Sequence, residues 1–213
     1  IKNLYPESKL AIGPTVKDGF YYDVESDQSI SSDDLSKIEE EMKKIIKTKS
    51  AITKKLVSKK EALKIFKSNK EPYKEIIINE SDQDDDFQLY YQDDEEFVDL
   101  CRGPHLPNLG FIGSFKLTKV SGAYWKGDSK NSMLTRIYGT AFSNDKDLQN
   151  HLDNIEEALK RDHRKLGKEM DLFHFQDEAP GMVFWHPYGW NIYKTLQNFM
   201  RNKLDKNGYL EIN

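Results

Sequence analysis

The chain has a single cysteine in 213 residues, so no internal disulfide can staple it. That fits a reducing compartment without establishing one. No apolar run reaches the roughly 20 residues that a membrane-crossing helix needs. The first residues, Ile1-Lys2-Asn3-Leu4-Tyr5-Pro6, lack the charged and apolar regions of a secretory leader. There is no excess of positive charge: the net charge of -4 gives no global attraction for a polyanion. Lys126-Gly127-Asp128 is turn-like, but it lacks the glycines that expose successive amides to a phosphate. His151, His163 and His174 share no metal-ligand spacing and read as surface or packed residues. Internal repeats and low-complexity tracts are also absent. Hydrophobic residues at 37% and aromatics at 12% suffice for a core, and the length allows one or two domains. The chain starts on Ile1 rather than Met and ends on an apparent strand, Tyr209-Leu210-Glu211-Ile212, so both ends are expected to be cut.

The stretch Asp99-Leu100-Cys101-Arg102-Gly103-Pro104-His105 carries the densest chemistry. Phe97-Val98-Asp99-Leu100-Cys101 reads as the end of a strand. Alternation then sends Val98 and Leu100 to one face, and Asp99 and Cys101 to the other. The apolar pair can enter a core while the carboxylate and the thiol face a cleft. Gly103-Pro104 breaks the strand and turns the chain, and His105 follows where it can fold back toward Cys101. A lone cysteine is most often a small buried hydrophobe, and a histidine after a turn is most often a surface residue. A Cys and a His four apart are too few ligands for a metal site.

Along the rest of the chain, Asp18-Gly19 between Leu10-Ala11-Ile12 and Phe20-Tyr21-Tyr22 signals a hairpin. Tyr21 and Tyr22 fall on opposite strand faces, one to pack and one free to face a cleft. Ser31-Ser32-Asp33-Asp34 opens a helix whose apolar face is Leu35, Ile38, Met42, Ile45 and Ile46. Lys43, Lys44, Lys47 and Lys49 near its end read as a solvated face. Ser58 and Glu61 form a capping box before a second helix with Leu63, Ile65 and Phe66. Both helices are expected across one side of a sheet. Pro72-Tyr73-Lys74 precedes the apolar run Ile76-Ile77-Ile78. Phe87, Leu89 and Tyr91 alternate as a strand before the acidic turn Asp93 to Glu96, and Phe115 and Leu117 mark another. Tyr124 and Trp125 can stack on a base, although packing is the default for aromatics. Leu134 to Phe142 closes the sheet. From Asn144, a stripe of Leu148, Leu152, Ile155, Leu159 and Leu166 predicts one long linking helix stopped by Gly167. Met182 to Trp185 reads as a strand between Pro180-Gly181 and His186-Pro187. A final helix follows, with Trp190, Tyr193, Leu196, Met200 and Leu204 inward, ending near Gly208.

The run Asp99 to His105, then Phe115 to Lys119, Ser121-Gly122-Ala123-Tyr124-Trp125-Lys126-Gly127-Asp128 and Arg136 to Ala141 resembles bacterial-type threonyl-tRNA synthetase. So do Glu157 to Lys168, Phe173 to Gln176 and Gly181 to Pro187, in the same order. The resemblance implies an α+β fold in which an antiparallel sheet carries packed helices. It implies an editing domain over 1–143 with a truncated amino terminus, a linker helix over 144–167, and over 168–213 the start of a class II core with partial motif 1. Its editing reaction is hydrolysis of mischarged seryl-tRNA(Thr). For that pocket the resemblance points to Cys101, His105, Lys74 and Asp99 as catalytic, and to Tyr22 near the substrate. Related alanyl-type editing domains hold a metal with a His-x-x-x-His pair plus a Cys and a His. No such pair occurs in this chain, and no metal is assigned. ATP, Mg and Zn are expected to bind the parent enzyme beyond Asn213. The implied partners are tRNA(Thr), reached through local basic patches, and threonine and ATP in the parent enzyme. A homodimer through motif 1 and a cytoplasmic location are implied as well. Two other classes stay open: a free-standing aminoacyl-tRNA deacylase, and a non-catalytic tRNA-binding or dimerisation module.

Overall fold

The structure is a computed structural model that describes residues 1–17, 19–92 and 96–212. It divides into two compact units, Ile1–Gln149 and Asn150–Asn213. In chain order the elements of the first unit begin with β1 (Lys9–Leu10), β2 (Thr15–Val16), β3 (Gly19–Glu25), α1 (Leu35–Thr48), β4 (Thr53–Val57) and α2 (Lys59–Ser68). They continue with α3 (Pro72–Glu80), β5 (Phe87–Gln92), β6 (Phe97–Leu100), β7 (Ser114–Tyr124) and β8 (Met133–Phe142). Then come α4 (Asp145–Lys160), α5 (His163–Glu169), β9 (Phe173–His174), β10 (Phe184–Trp185) and α6 (Pro187–Lys206). The chain is therefore α+β, with every strand pairing antiparallel.

The first unit holds two sheets where one was expected. A five-stranded sheet runs β1-β3-β8-β7 with β2 beside β3, and a three-stranded sheet runs β4-β5-β6. The expected hairpin forms, with Thr15 opposite Phe20, although Asp18 lies outside the described residues. So does most of the acidic turn at Asp93 to Glu96, between β5 and β6.

Each sheet has its own helical cover. A capping box of Ser31 and Asp34, each satisfying the other's backbone amide, opens the 3-10 turn Ser32–Asp34 that leads into α1. Its Leu35 and Ile38 pack with Ile30, Leu117 and Ile137 on the five-stranded sheet. Helices α2 and α3 instead place Ala62, Phe66 and Ile78 against Val57, Phe87, Leu89 and Tyr91 of the three-stranded sheet. The two helices do not share a sheet because β4 intervenes and starts a new one. Its sequence, Thr53-Lys54-Lys55-Leu56-Val57, is solvated except at Val57, as an edge strand with lysines tends to be. That solvated pattern hides it from a hydrophobic reading.

The linking helix also departs from expectation. It breaks at Asp162, whose side chain accepts the Arg164 N–H and starts α5 afresh. Gly167 stops nothing: it sits inside α5, where a Cβ would meet the Phe173 ring at 2.1 Å. In the second unit β9 and β10 form a short hairpin. The apolar side chains of α6 that were expected inward, Trp190, Tyr193, Leu196, Met200 and Leu204, are exposed. Tyr209 to Ile212 is not a strand among the described residues, where these positions have no partner strand.

Leu89 is fully buried at the centre of the three-stranded layer, whereas Leu56 on the neighbouring strand is 55% exposed. Leu89→Ala should cost about 3 kcal/mol in urea unfolding, and Leu56→Ala under about 0.5 kcal/mol. Equal losses would mean that the layer is not packed as described.

Candidate active site

The site is built on the edge where the two sheets meet. Strand β6 obeys the alternation expected of it: Val98 and Leu100 pack on the three-stranded core, and Asp99 turns the other way. Helix α3 begins with Pro72, whose fixed φ and missing N–H suit the first helical position. One turn in, Lys74 points inward and only 3% of its side chain is exposed. An isolated buried ammonium costs several kcal/mol, so its partners decide whether the fold tolerates it.

Those partners come from three elements. Lys74 Nζ lies 2.5 Å from Asp99 Oδ1 of β6. The Tyr22 hydroxyl, from β3 in the other sheet, donates to Asp99 Oδ2 at 2.7 Å and accepts from Lys74 Nζ at 3.0 Å. Asp99 Oδ1 also accepts the Leu100 N–H at 2.7 Å. Both carboxylate oxygens are thus committed, and the ammonium has one charged and one neutral acceptor. Burial, then the Asp99 charge beside it, push the Tyr22 phenol well above its ordinary range.

The turn after β6 carries the remaining groups. The Cys101 N–H reaches the Gln88 carbonyl of β5 at 3.2 Å, and the half-buried Cys101 Sγ accepts the Gly103 N–H at 3.4 Å. Arg102 is exposed. The His105 ring stacks on Tyr90, with centroids 4.0 Å apart and planes at 23°. Burial lowers the His105 pKa while the Asp99 charge opposes the change. A lowered pKa favours the neutral imidazole, the form able to take a proton. Among the described residues His105 makes no hydrogen bond to Cys101; it is held by Tyr90 instead.

Tyr22, Lys74 and Asp99 thus form one bonded cluster, and Cys101 and His105 sit on the adjoining turn. Tyr21 goes to the opposite face, where the Arg136 guanidinium lies 3.9 Å above its ring and Asp23 grips that guanidinium at 2.6 and 2.8 Å. Trp125 is buried edge-on against Tyr73 and is a core residue rather than a stacking platform. Tyr90 and Gln88 escaped the sequence reading. They occupy the positions of β5 that alternate with Phe87, Leu89 and Tyr91, so the same period that marked the core also marked them. Glu71 escaped as well: it is buried, accepts the Leu10 N–H at 2.7 Å and pairs with Lys2 at 2.6 Å. In the second unit His174 Nδ1 and His186 Nε2 meet at 2.7 Å, a pair that spacing did not reveal. Among the described residues no group of three or more His, Cys, Asp or Glu is arranged to hold a metal ion.

This strand–turn–strand region is similar to a known class of domain. Residues 88–138, from β5 to the middle of β8, match the family model of the threonyl and alanyl tRNA synthetase second additional domain. The likeness then extends to the whole chain. It is 52% identical over 212 residues to the threonine–tRNA ligase of Prochlorococcus marinus (strain MIT 9211) and 54% identical to that of Legionella pneumophila (strain Corby). In each case all of this chain aligns with 33% of the relative, so it spans about a third of the length of the curated relatives it matches.

Replacing Asp99 by Asn leaves the Lys74 ammonium buried with no counter-charge, and should cost about 3 kcal/mol at neutral pH. Tyr22→Phe should cost about 1 kcal/mol. Because the folded-state pKa of Tyr22 is raised above its ordinary value of 10, the contribution of that hydroxyl is fully present below pH 10 and is lost as pH rises through the folded value. Urea titrations of wild type and Tyr22→Phe should therefore converge above pH 10, and a gap that widens there would contradict the assignment.

Proposed function

We propose that this chain is the editing portion of a threonyl-tRNA synthetase, together with the linker and the first elements of its ligating core. The observation that carries the reading is the Tyr22–Lys74–Asp99 cluster beside Cys101 and His105, inside the segment similar to the second additional domain. The identity to threonine–tRNA ligases along the whole chain supports it. In this reading residues 1–143 edit, 144–167 link, and 168–213 open the class II core. The exposed aromatic and aliphatic side chains of α6 then belong to motif 1 and face a second subunit. Threonine, ATP, Mg and Zn serve ligation in parts of the synthetase outside this chain. The protein works in the cytoplasm, and no helix among the described residues is long and apolar enough to cross a membrane.

The physical need for editing is a single methyl group. Serine lacks the methyl of threonine, and a methyl in a pocket gives only about 1–3 kcal/mol of discrimination. A second site must hydrolyse the wrong ester. Water attacks the acyl carbon, the bond to the ribose oxygen breaks, and that oxygen leaves with a proton. The neutral His105 imidazole is the group placed to accept the water's proton. Asp99, held by Lys74 and Tyr22, presents fixed negative charge to the seryl amine and hydroxyl. Cys101 lines the pocket and is not a covalent nucleophile, because no base is hydrogen-bonded to its thiol among the described residues. With a net charge of -4, the chain must meet tRNA(Thr) through local clusters such as Lys43, Lys44 and Lys47 on α1 and Lys49 just after it.

In the whole synthetase, Cys101→Ala and His105→Ala should each slow hydrolysis of seryl-tRNA(Thr), the histidine variant by about 100-fold, and leave threonine charging within twofold. Deacylation and charging assays on the same preparations decide the matter. Equal loss of both activities would assign these residues to structure.

A further inference from the structure

We propose that Tyr90 is a positioning residue for this site: its ring sets the plane of His105 on the turn that packs over it. The role in catalysis rests on the editing function proposed above; the positioning itself does not.

Tyr90 is buried, at 5% exposure, yet it is not part of the apolar core that Phe87, Leu89 and Tyr91 build on the other face of β5. It lies directly opposite Asp99 in the antiparallel register. Its burial therefore comes from the site side. The turn lies over it, with His105 face to face on its ring at 4.0 Å. Gly103 completes the seat. Its φ is +63°, and a Cβ there would fall 1.8 Å from the Tyr90 hydroxyl oxygen. Both the backbone angle and the close approach require glycine at this position.

The neighbouring residue of β5 holds the other end of the turn. The Gln88 carbonyl accepts the Cys101 N–H, and the Gln88 side chain accepts the Tyr90 hydroxyl at 3.4 Å. One strand thus fixes Cys101 through its backbone and His105 through an aromatic face. A histidine five residues beyond a strand end, on an exposed turn, otherwise keeps its rotamer freedom and must lose it in each catalytic event. A ring with a flat face supplies that order in advance. Leucine or methionine fills similar space without a flat face to stack on, whereas phenylalanine retains it.

Carbethoxylation by diethyl pyrocarbonate, mapped peptide by peptide, reads the stacking without relying on activity. His163 is the internal reference, since 89% of its side chain is exposed. In the wild-type chain His105 should react about fivefold more slowly than His163, because Tyr90 covers one face of its ring. Tyr90→Phe should preserve that protection, while Tyr90→Leu and Tyr90→Met should bring His105 to the rate of His163. In the whole synthetase the Leu variant should lower kcat for seryl-tRNA(Thr) hydrolysis about tenfold with KM within twofold, and the Phe variant should stay near wild type. Wild-type His105 as reactive as His163 would overturn the proposal, and this comparison needs no substitution. Equal reactivity in the Phe and Leu variants would also overturn it. Protection that follows the ring as expected, with deacylation unchanged, would support the positioning and overturn the editing role instead.

Discussion

The ammonium of Lys74 is the constraint on which the first unit turns. Once α3 directs this side chain inward, something must supply a fixed counter-charge and a second acceptor. The carboxylate comes from β6 of the three-stranded sheet and the phenol from β3 of the five-stranded sheet. Neither layer can satisfy the lysine alone. The requirement therefore ties the two sheets together at one point, and that point is where the turn with Cys101 and His105 emerges. A buried ion pair is weak evidence for stability as such. Its value here is geometric: it locks a carboxylate in one orientation next to a thiol and an imidazole.

The same logic recurs along the junction. Glu71, at the start of α3, accepts the Leu10 N–H and pairs with Lys2. The Tyr73 hydroxyl bonds Glu25 at the end of β3. Glu39 of α1 is buried and accepts the Leu117 N–H of β7 at 2.9 Å. Acidic side chains thus satisfy donors between layers that also share apolar clusters, and directional bonds add a fixed register to that packing. A hydrolytic pocket gains from this, because an error of about 1 Å in the placement of a reacting group is costly.

Much of this was legible in the sequence, for identifiable reasons. Strand β6 was readable because Val98 and Leu100 alternate with Asp99 and Cys101, and the opposite faces of Tyr21 and Tyr22 followed from the same period. Strand β4 was not readable, because lysines cover an edge strand and leave no apolar rhythm. The break at Asp162 was hidden because the apolar stripe of α4 and α5 runs through it, while the capping bond that restarts the helix is local and polar. The clustering of Lys74 with Tyr22 and Asp99 depends on contacts 52 and 77 residues apart in sequence, beyond the reach of any periodicity. Resemblance to a family nominated those residues, and the geometry then gave them partners. Tyr90 was visible in principle, being the position of β5 opposite Asp99, but nothing in the sequence distinguished a supporting aromatic from a core one. The side chains of α6 that were read as inward are exposed, because an apolar stripe shows only that it needs cover, not whether this chain provides it.

The central claim is that the Tyr22–Lys74–Asp99 cluster presents a prepared carboxylate to a seryl ester at the end of a nucleic acid. A hydrolysis-resistant amide analogue of seryl-adenosine, titrated calorimetrically into the whole synthetase with its ligating site blocked by a threonyl-adenylate analogue, tests this most directly. The account predicts binding that weakens about tenfold in Tyr22→Phe, where the carboxylate loses a donor that orients it, and that disappears in Asp99→Asn. Equal affinity in wild type and both variants would contradict it.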